Sequence, residues 1–266
     1  MPERRGFWDQ LRRWRGIILL ATVSIATLWF GATGRLVFYV HPRYLVFTII
    51  MAGVALAFCT ARVVMVVRAR PAADHDHDEE DDDPAPRPGI QRVLSIGTIV
   101  IATAVAAAMV ALPPATLSSA TALQRDITNS SVAAGAASLT AAQTANNSAF
   151  ANYSLLDWSS LLRQTSDPSF YAGKPVDVTG FVTPDPTDSA NVFYVTRFVI
   201  TCCAVDAQPV GIPVYVENWK GSYPANSWVK ITGGLVADPS TKSSAELAVI
   251  PTGVKRVAQP ADPYLY

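Results

Sequence analysis

The sequence predicts a multi-domain membrane protein: three N-terminal transmembrane α-helices, then a C-terminal, mostly β domain. Three observations predict it. Long uncharged apolar runs fill residues 1–112, while residues from 154 onward have the composition of a soluble domain. That second part carries short runs of β-branched and aromatic residues separated by turn residues. Only 16% of the 266 residues are charged, against about 25% in an ordinary soluble protein, and in residues 1–112 the charges cluster between long uncharged runs.

The first run, Gly16–Gly34, lies in a stretch without charge between Arg15 and Arg35. It is long enough to cross a hydrocarbon core of about 30 Å at roughly 1.5 Å per residue. A second uncharged run lies between Arg43 and Arg62, with the apolar character resuming through Val67, and a third spans Val93–Leu112. Helices are expected near 16–36, 44–67 and 92–112, all within a transmembrane region 1–112. A cleaved signal peptide would share the basic N-terminal flank. The first run exceeds a signal core of about 7–15 residues, however, and a second span follows closely, so retention is expected. Arg4, Arg5, Arg12, Arg13 and Arg15 precede the first span, and Arg68, Arg70, Arg87 and Arg92 follow the second. The loop between them has only Arg35 and Arg43. The richer flanks belong in the cytoplasm. The N-terminus is therefore expected to be cytoplasmic, and everything after Leu112 outside the plasma membrane. Arg35 reads either as a snorkelling side chain or as a contact to a partner helix. His41-Pro42-Arg43-Tyr44 reads as a tight turn in which proline restarts the chain.

The cytoplasmic loop 71–89 holds an unbroken block of eight acids and two histidines, His75 and His77, between Asp74 and Asp83. Proline and self-repulsion predict a solvated spacer. Imidazoles beside carboxylates also suit a loose trap for zinc or another divalent ion. Residues 113–150 are rich in Ala, Ser, Thr and Asn and read as a mostly flexible linker, helical at most in short pieces.

The exterior domain is expected over 151–266. Leu155, Trp158, Leu161 and Leu162 recur at helix spacing, with Ser154 and Asp157 placed for a capping box. Strands are expected over Val176–Val182, Asn191–Thr201, Val210–Val216, Trp228–Val236 and Ala245–Val257. Five short strands suggest a five-stranded OB-like barrel with one short leading helix, and Gly180 and Gly233-Gly234 fall where such a barrel turns corners.

One segment stands out for chemistry: Arg197-Phe198-Val199-Ile200-Thr201-Cys202-Cys203-Ala204-Val205-Asp206. Adjacent cysteines inside a strand point to opposite faces, so they converge only if the strand has ended. Cys202, Cys203 and Asp206 read as a thiolate site for zinc or copper(I), as a redox-active pair, or as structural residues. Cys59, inside an apolar run, reads as a small core residue. The chain has no CxxC, HExxH, GxSxG or phosphate-loop motif, and its last histidine is His77. A Cys–His or Ser–His–acid site in the exterior domain is thereby excluded, which argues against a hydrolase. From residue 154 onward eight basic side chains face ten acidic ones, a net of −2, which disfavours nucleic acid as a partner.

The run Tyr39-Val40-His41-Pro42-Arg43, the segment Tyr171–Val176 leading to Gly180-Phe181-Val182, and Arg197–Ala207 followed by Trp228–Gly233 carry a family likeness. On these residues the chain resembles the YcgQ-like family of permease subunits, membrane-anchored companions of a multispanning permease. The resemblance implies a signature of Arg197, Thr201, Cys202, Cys203, Asp206, Trp228 and Gly233, with no role attached. It implies a non-enzymatic accessory subunit, partnered by the lipid bilayer and a multispanning permease, with a link to divalent metal (zinc-like) homeostasis. A membrane-anchored thiol redox protein and a cell-surface interaction module are the alternatives.

Overall fold

The computed structural model describes residues 3–68, 97, 100, 101, 104–108, 117–125, 127 and 136–266. The chain divides into two compact units, Met1–Ala115 and Thr116–Tyr266.

The first unit contains a helical hairpin. Helix α1 runs Glu3–Ala32 and α2 runs Pro42–Arg68. The span expected over 16–36 stops at Ala32, because Gly34 adopts φ 69° and Arg35–Phe38 form a 3-10 turn. A left-handed residue ends a helix most cheaply when it is glycine. Pro42 opens α2, and His41 Nδ1 accepts the Arg43 N–H at 3.0 Å, taking up a donor left free at the helix start. The two helices approach closely at Gly31, where a Cβ would lie 2.9 Å from Ile49 Cγ1. Farther along the hairpin Cys59 is buried, its thiol donating to the Ile17 carbonyl at 3.8 Å. Thr22, Ser24, Thr27 and Thr48 each donate to the carbonyl four residues back, so these hydroxyls are satisfied within their own helices.

Pro42–Met65 is long and apolar enough to cross a membrane, and 11% of its most apolar window is buried. Gly16–Ala32 is apolar but shorter. Apolar side chains left outward along a helix this long point to association with lipid. Of the third expected span, residues 97, 100, 101 and 104–108 are helical. The rest of 92–112, and the 71–89 loop with His75 and His77, lie outside the described residues.

The second unit is a mixed six-stranded sheet with short helices packed on it. Its strands are β1 (Pro175–Pro184), β2 (Val192–Val199), β3 (Gln208–Tyr215), β4 (Trp228–Ala237), β5 (Leu247–Arg256) and β6 (Tyr264–Leu265). β1 pairs with β4 over Pro175–Phe181 and with β2 over Phe181–Pro184, all antiparallel. β4 pairs with β5 and β2 with β3, again antiparallel. The parallel β3–β5 contact at Val214 and Val249 completes a ring of pairings β1-β2-β3-β5-β4-β1. Two glycines let backbones meet where the ring bends. A Cβ on Gly180 would lie 2.6 Å from the Thr196 carbonyl oxygen. One on Gly233, at the bulge after Thr232, would lie 2.4 Å from the Ile250 oxygen. The sixth strand, absent from the sequence-based expectation, pairs in parallel with β2 at Phe198 and Val199.

The stretch expected as a tether is, over its described residues, folded onto this sheet. Helix α3 (Ser119–Gln124), helix α4 (Leu139–Thr144) and a 3-10 turn at Asn147–Asn152 place Ala122, Ala142 and Phe150 in buried positions. Helix α5 (Leu155–Gln164) holds the segment down. The capping box forms as expected, with Ser154 N–H donating to Asp157 Oδ2 at 2.8 Å and Asp157 N–H to Ser154 Oγ at 3.2 Å. The other oxygen of Asp157 accepts the Ala137 N–H at 2.9 Å, while Ser160 and Gln164 donate to the Ala137 carbonyl. Small residues that lack the bulk for a core of their own are thus bound by backbone hydrogen bonds. The compact unit accordingly begins at Thr116 rather than near 151. Trp158 and Leu161 of α5 are fully buried and join Phe193, Val195, Ile212 and Val249 in one core.

Candidate functional site

The two adjacent cysteines lie in the connection Ile200–Ala207, after β2 has ended at Val199. The strand alternation that would separate their side chains no longer applies. Asp206 organises the loop. Its carboxylate accepts the backbone N–H groups of Cys202 at 2.7 Å, Thr201 at 3.3 Å and Cys203 at 3.4 Å, and its own N–H donates to the Cys203 carbonyl at 3.0 Å. Three consecutive N–H groups curled around one anion form a nest, here filled by the protein's own carboxylate. Cys202 is exposed and Cys203 half-buried, and both are free thiols.

The electrostatics follow from this geometry. Burial works against ionised Asp206, but the Cys202 N–H, the Cys202 thiol and the other two N–H groups outweigh it and hold the carboxyl below its ordinary range. Cys202 is pushed the other way, to about 11, first by its hydrogen bond to Cys203 and then by the one to Asp206. Cys202 is therefore a protonated donor at neutral pH, whereas a nucleophile or a metal ligand needs the thiolate. Among the described residues no group of three or more His, Cys, Asp or Glu side chains is arranged to hold a metal ion. The structure brings Cys202, Cys203 and Asp206 into one loop, but as a hydrogen-bonded set in which the carboxylate is already occupied.

The remaining signature residues have structural places. Arg197 reaches the C-terminal segment, its Nε donating to the Pro263 carbonyl at 3.1 Å and its Nη2 to the carbonyls of Asp262 and Tyr264. Trp228 lies edge-on to Phe181, ring centroids 5.8 Å apart, and Phe181 stacks on Phe198. Thr201 contributes its N–H to the nest and Gly233 forms the bulge.

Two features were not anticipated in the sequence. Asp185 and Asp188 are buried, at 1% and 5% exposure, and clasp the β1–β2 turn to the β4–β5 turn. Asp185 accepts from Thr187 and the Asp188 N–H, and Asp188 from Ser240 Oγ at 2.7 Å. The run Asp185-Pro186-Thr187-Asp188 signals a turn, and nothing in it signals burial. The second feature is a cavity of about 250 Å³ against α5, with Arg163 in its wall. A lone arginine next to the apolar stripe of α5 was the only hint of it.

An N-terminal helical unit bearing a membrane-length helix, joined to a closed β domain with a thiol-bearing loop, defines the class. The chain belongs to the DUF1980 family: the DUF1980 N-terminal domain matches residues 15–128 and the DUF1980 C-terminal domain matches residues 134–266. No curated protein and no solved structure matches it.

Proposed function

We propose that this chain is a non-enzymatic, membrane-anchored accessory subunit of a permease, with its β domain outside the cytoplasm of the plasma membrane. One observation carries the reading: a membrane-length helix with outward apolar side chains shares the chain with a separately compact β domain. Three spans, at Gly16–Ala32, at Pro42–Met65 and within 92–112, agree with the uncharged runs and with the placement of arginines. The ring of strand pairings with one parallel β3–β5 step supports an OB-type barrel, a scaffold that binds ligands on its surface. Anchor and barrel together suit a subunit that docks on a multispanning partner and presents a binding domain beside its outer mouth. Zinc or another divalent metal enters this reading only as cargo, and its capture would require the Asp206 nest to open.

The test is purification of the tagged full-length chain in mild detergent after cross-linking in native membranes. A multispanning protein in stoichiometric amount is expected. Recovery of the chain alone, from membranes where it is correctly inserted, contradicts the subunit reading. Anaerobic titration with zinc or copper(I), wild type against Cys202→Ser/Cys203→Ser, decides the cargo separately. Equal affinity in both proteins removes the metal.

A further inference from the structure

The cavity beside α5 lies apart from the thiol loop in sequence and carries a full positive charge in its wall. It is lined by Ser159, Leu162 and Arg163 of α5, Tyr194 of β2, Pro213 of β3 and Glu246 at the entry to β5, among others. Arg163 Nη1 donates to Ser159 Oγ at 2.9 Å. Its Nε and Nη2 are sealed from solvent and have no hydrogen-bond acceptor. Burial lowers the pKa of this guanidinium from its ordinary value, and arginine nonetheless stays charged at neutral pH. Among the described residues the ion pair within contact distance is Lys230–Asp177, so Glu246 does not neutralise Arg163 by direct contact. A half-buried guanidinium whose Nε and Nη2 are sealed from solvent with no acceptor is unfavourable unless an acceptor comes to those atoms.

We propose that this cavity binds a small monocarboxylate with an apolar body, the carboxylate held by the Nε–Nη2 edge of Arg163. The planar guanidinium fork matches two carboxylate oxygens at once. Leu162, Pro213 and the Tyr194 ring supply an apolar wall for the rest of the molecule. Nε and Nη2 have no accessible surface in this structure, so binding requires the guanidinium to turn and bring that edge to the carboxylate. Glu246 in the same wall repels a second negative charge, which selects a monoanion over a phosphate dianion. The inference rests on the β domain alone and holds whether or not the permease reading does.

Fluorine NMR on the full-length protein in detergent, titrated with para-fluorobenzoate, tests it. A saturable shift of the fluorine signal is expected. Arg163→Gln should weaken binding by at least about ten-fold, as should replacing the probe with uncharged para-fluorobenzamide. Glu246→Gln should bind at least as tightly as wild type, and inorganic phosphate should not displace the probe. Should Arg163→Gln fold poorly, Arg163→Lys keeps the charge without the fork and is expected to fall between wild type and the loss. No saturable shift, equal affinity for the amide, or undiminished binding by a folded Arg163 variant overturns the proposal. Displacement by phosphate at equal concentration overturns the selectivity for a monocarboxylate.

Discussion

In α2, Phe58 and Val46 stand 72% and 68% exposed, whereas Phe193, Val195 and Ile212 of the β domain are fully covered. The residue types are the same, and the solvent each unit is built for is not. The β domain covers its core residues with its own chain, even with the alanine-rich stretch that reads as a tether. The hairpin satisfies its backbone and hydroxyl groups internally and leaves its apolar side chains outward, as a lipid environment requires. A buried apolar residue in the second unit therefore reports on folding, and an outward one in the first reports on insertion.

Substitutions break this comparison in order of size. Trp158→Ala removes the largest fully buried side chain of α5 and should cost about 3–5 kcal/mol of β-domain stability, read from urea or thermal unfolding. Val54→Asp, near the middle of Pro42–Met65, should cost about 3 kcal/mol of insertion and move the chain out of the membrane fraction while the β domain stays folded. Gly180→Ala drives a Cβ to within 2.6 Å of a backbone oxygen and should cost about 1–3 kcal/mol. Asp157→Ala removes the capping box and the hold on Ala137. It should cost about 1 kcal/mol and hasten proteolysis near Ala137, measured by limited digestion.

The thiol loop gives the smallest effect and a signed pH dependence. Asp206 titrates lower in the folded protein than in the unfolded chain. Its stabilisation is present above the unfolded carboxyl range and is lost as pH falls through the folded value. Cys202 is raised to about 11, so its contribution is complete below the ordinary thiol range and is lost as pH rises through that value. At pH near 8, Cys202 should alkylate at least about ten-fold more slowly than an unperturbed cysteine despite its exposure. Asp206→Asn should speed it. Rapid labelling of wild-type Cys202 contradicts the hydrogen-bonded assignment.

Much of this is legible in the sequence because it depends on local pattern. The capping box at Ser154 and Asp157, the apolar face of α5 and five of the six strands follow from spacing and alternation. β6 did not, because two residues carry no period and Arg197 holds them from 65–67 positions away. The early end of α1 was written in Gly34 but masked by the uncharged run that continues past it. The packing of the stretch after Thr116 is not legible because its buried side chains are mostly alanines with Phe150, too sparse for a period, and its backbone is held by distant side chains such as Asn226, Asp157 and Gln164. In the thiol loop the residue types were right. Their hydrogen-bond directions, which make Cys202 a donor and Asp206 an acceptor of backbone, depend on how the chain turns after Val199.

The arrangement of the two units across a bilayer is tested most directly by a topology reporter fused after Tyr266. Alkaline phosphatase at that position should be active and a cytoplasm-dependent fluorescent protein dark. The reverse pattern, with the chain inserted, would place the β domain in the cytoplasm and contradict the account.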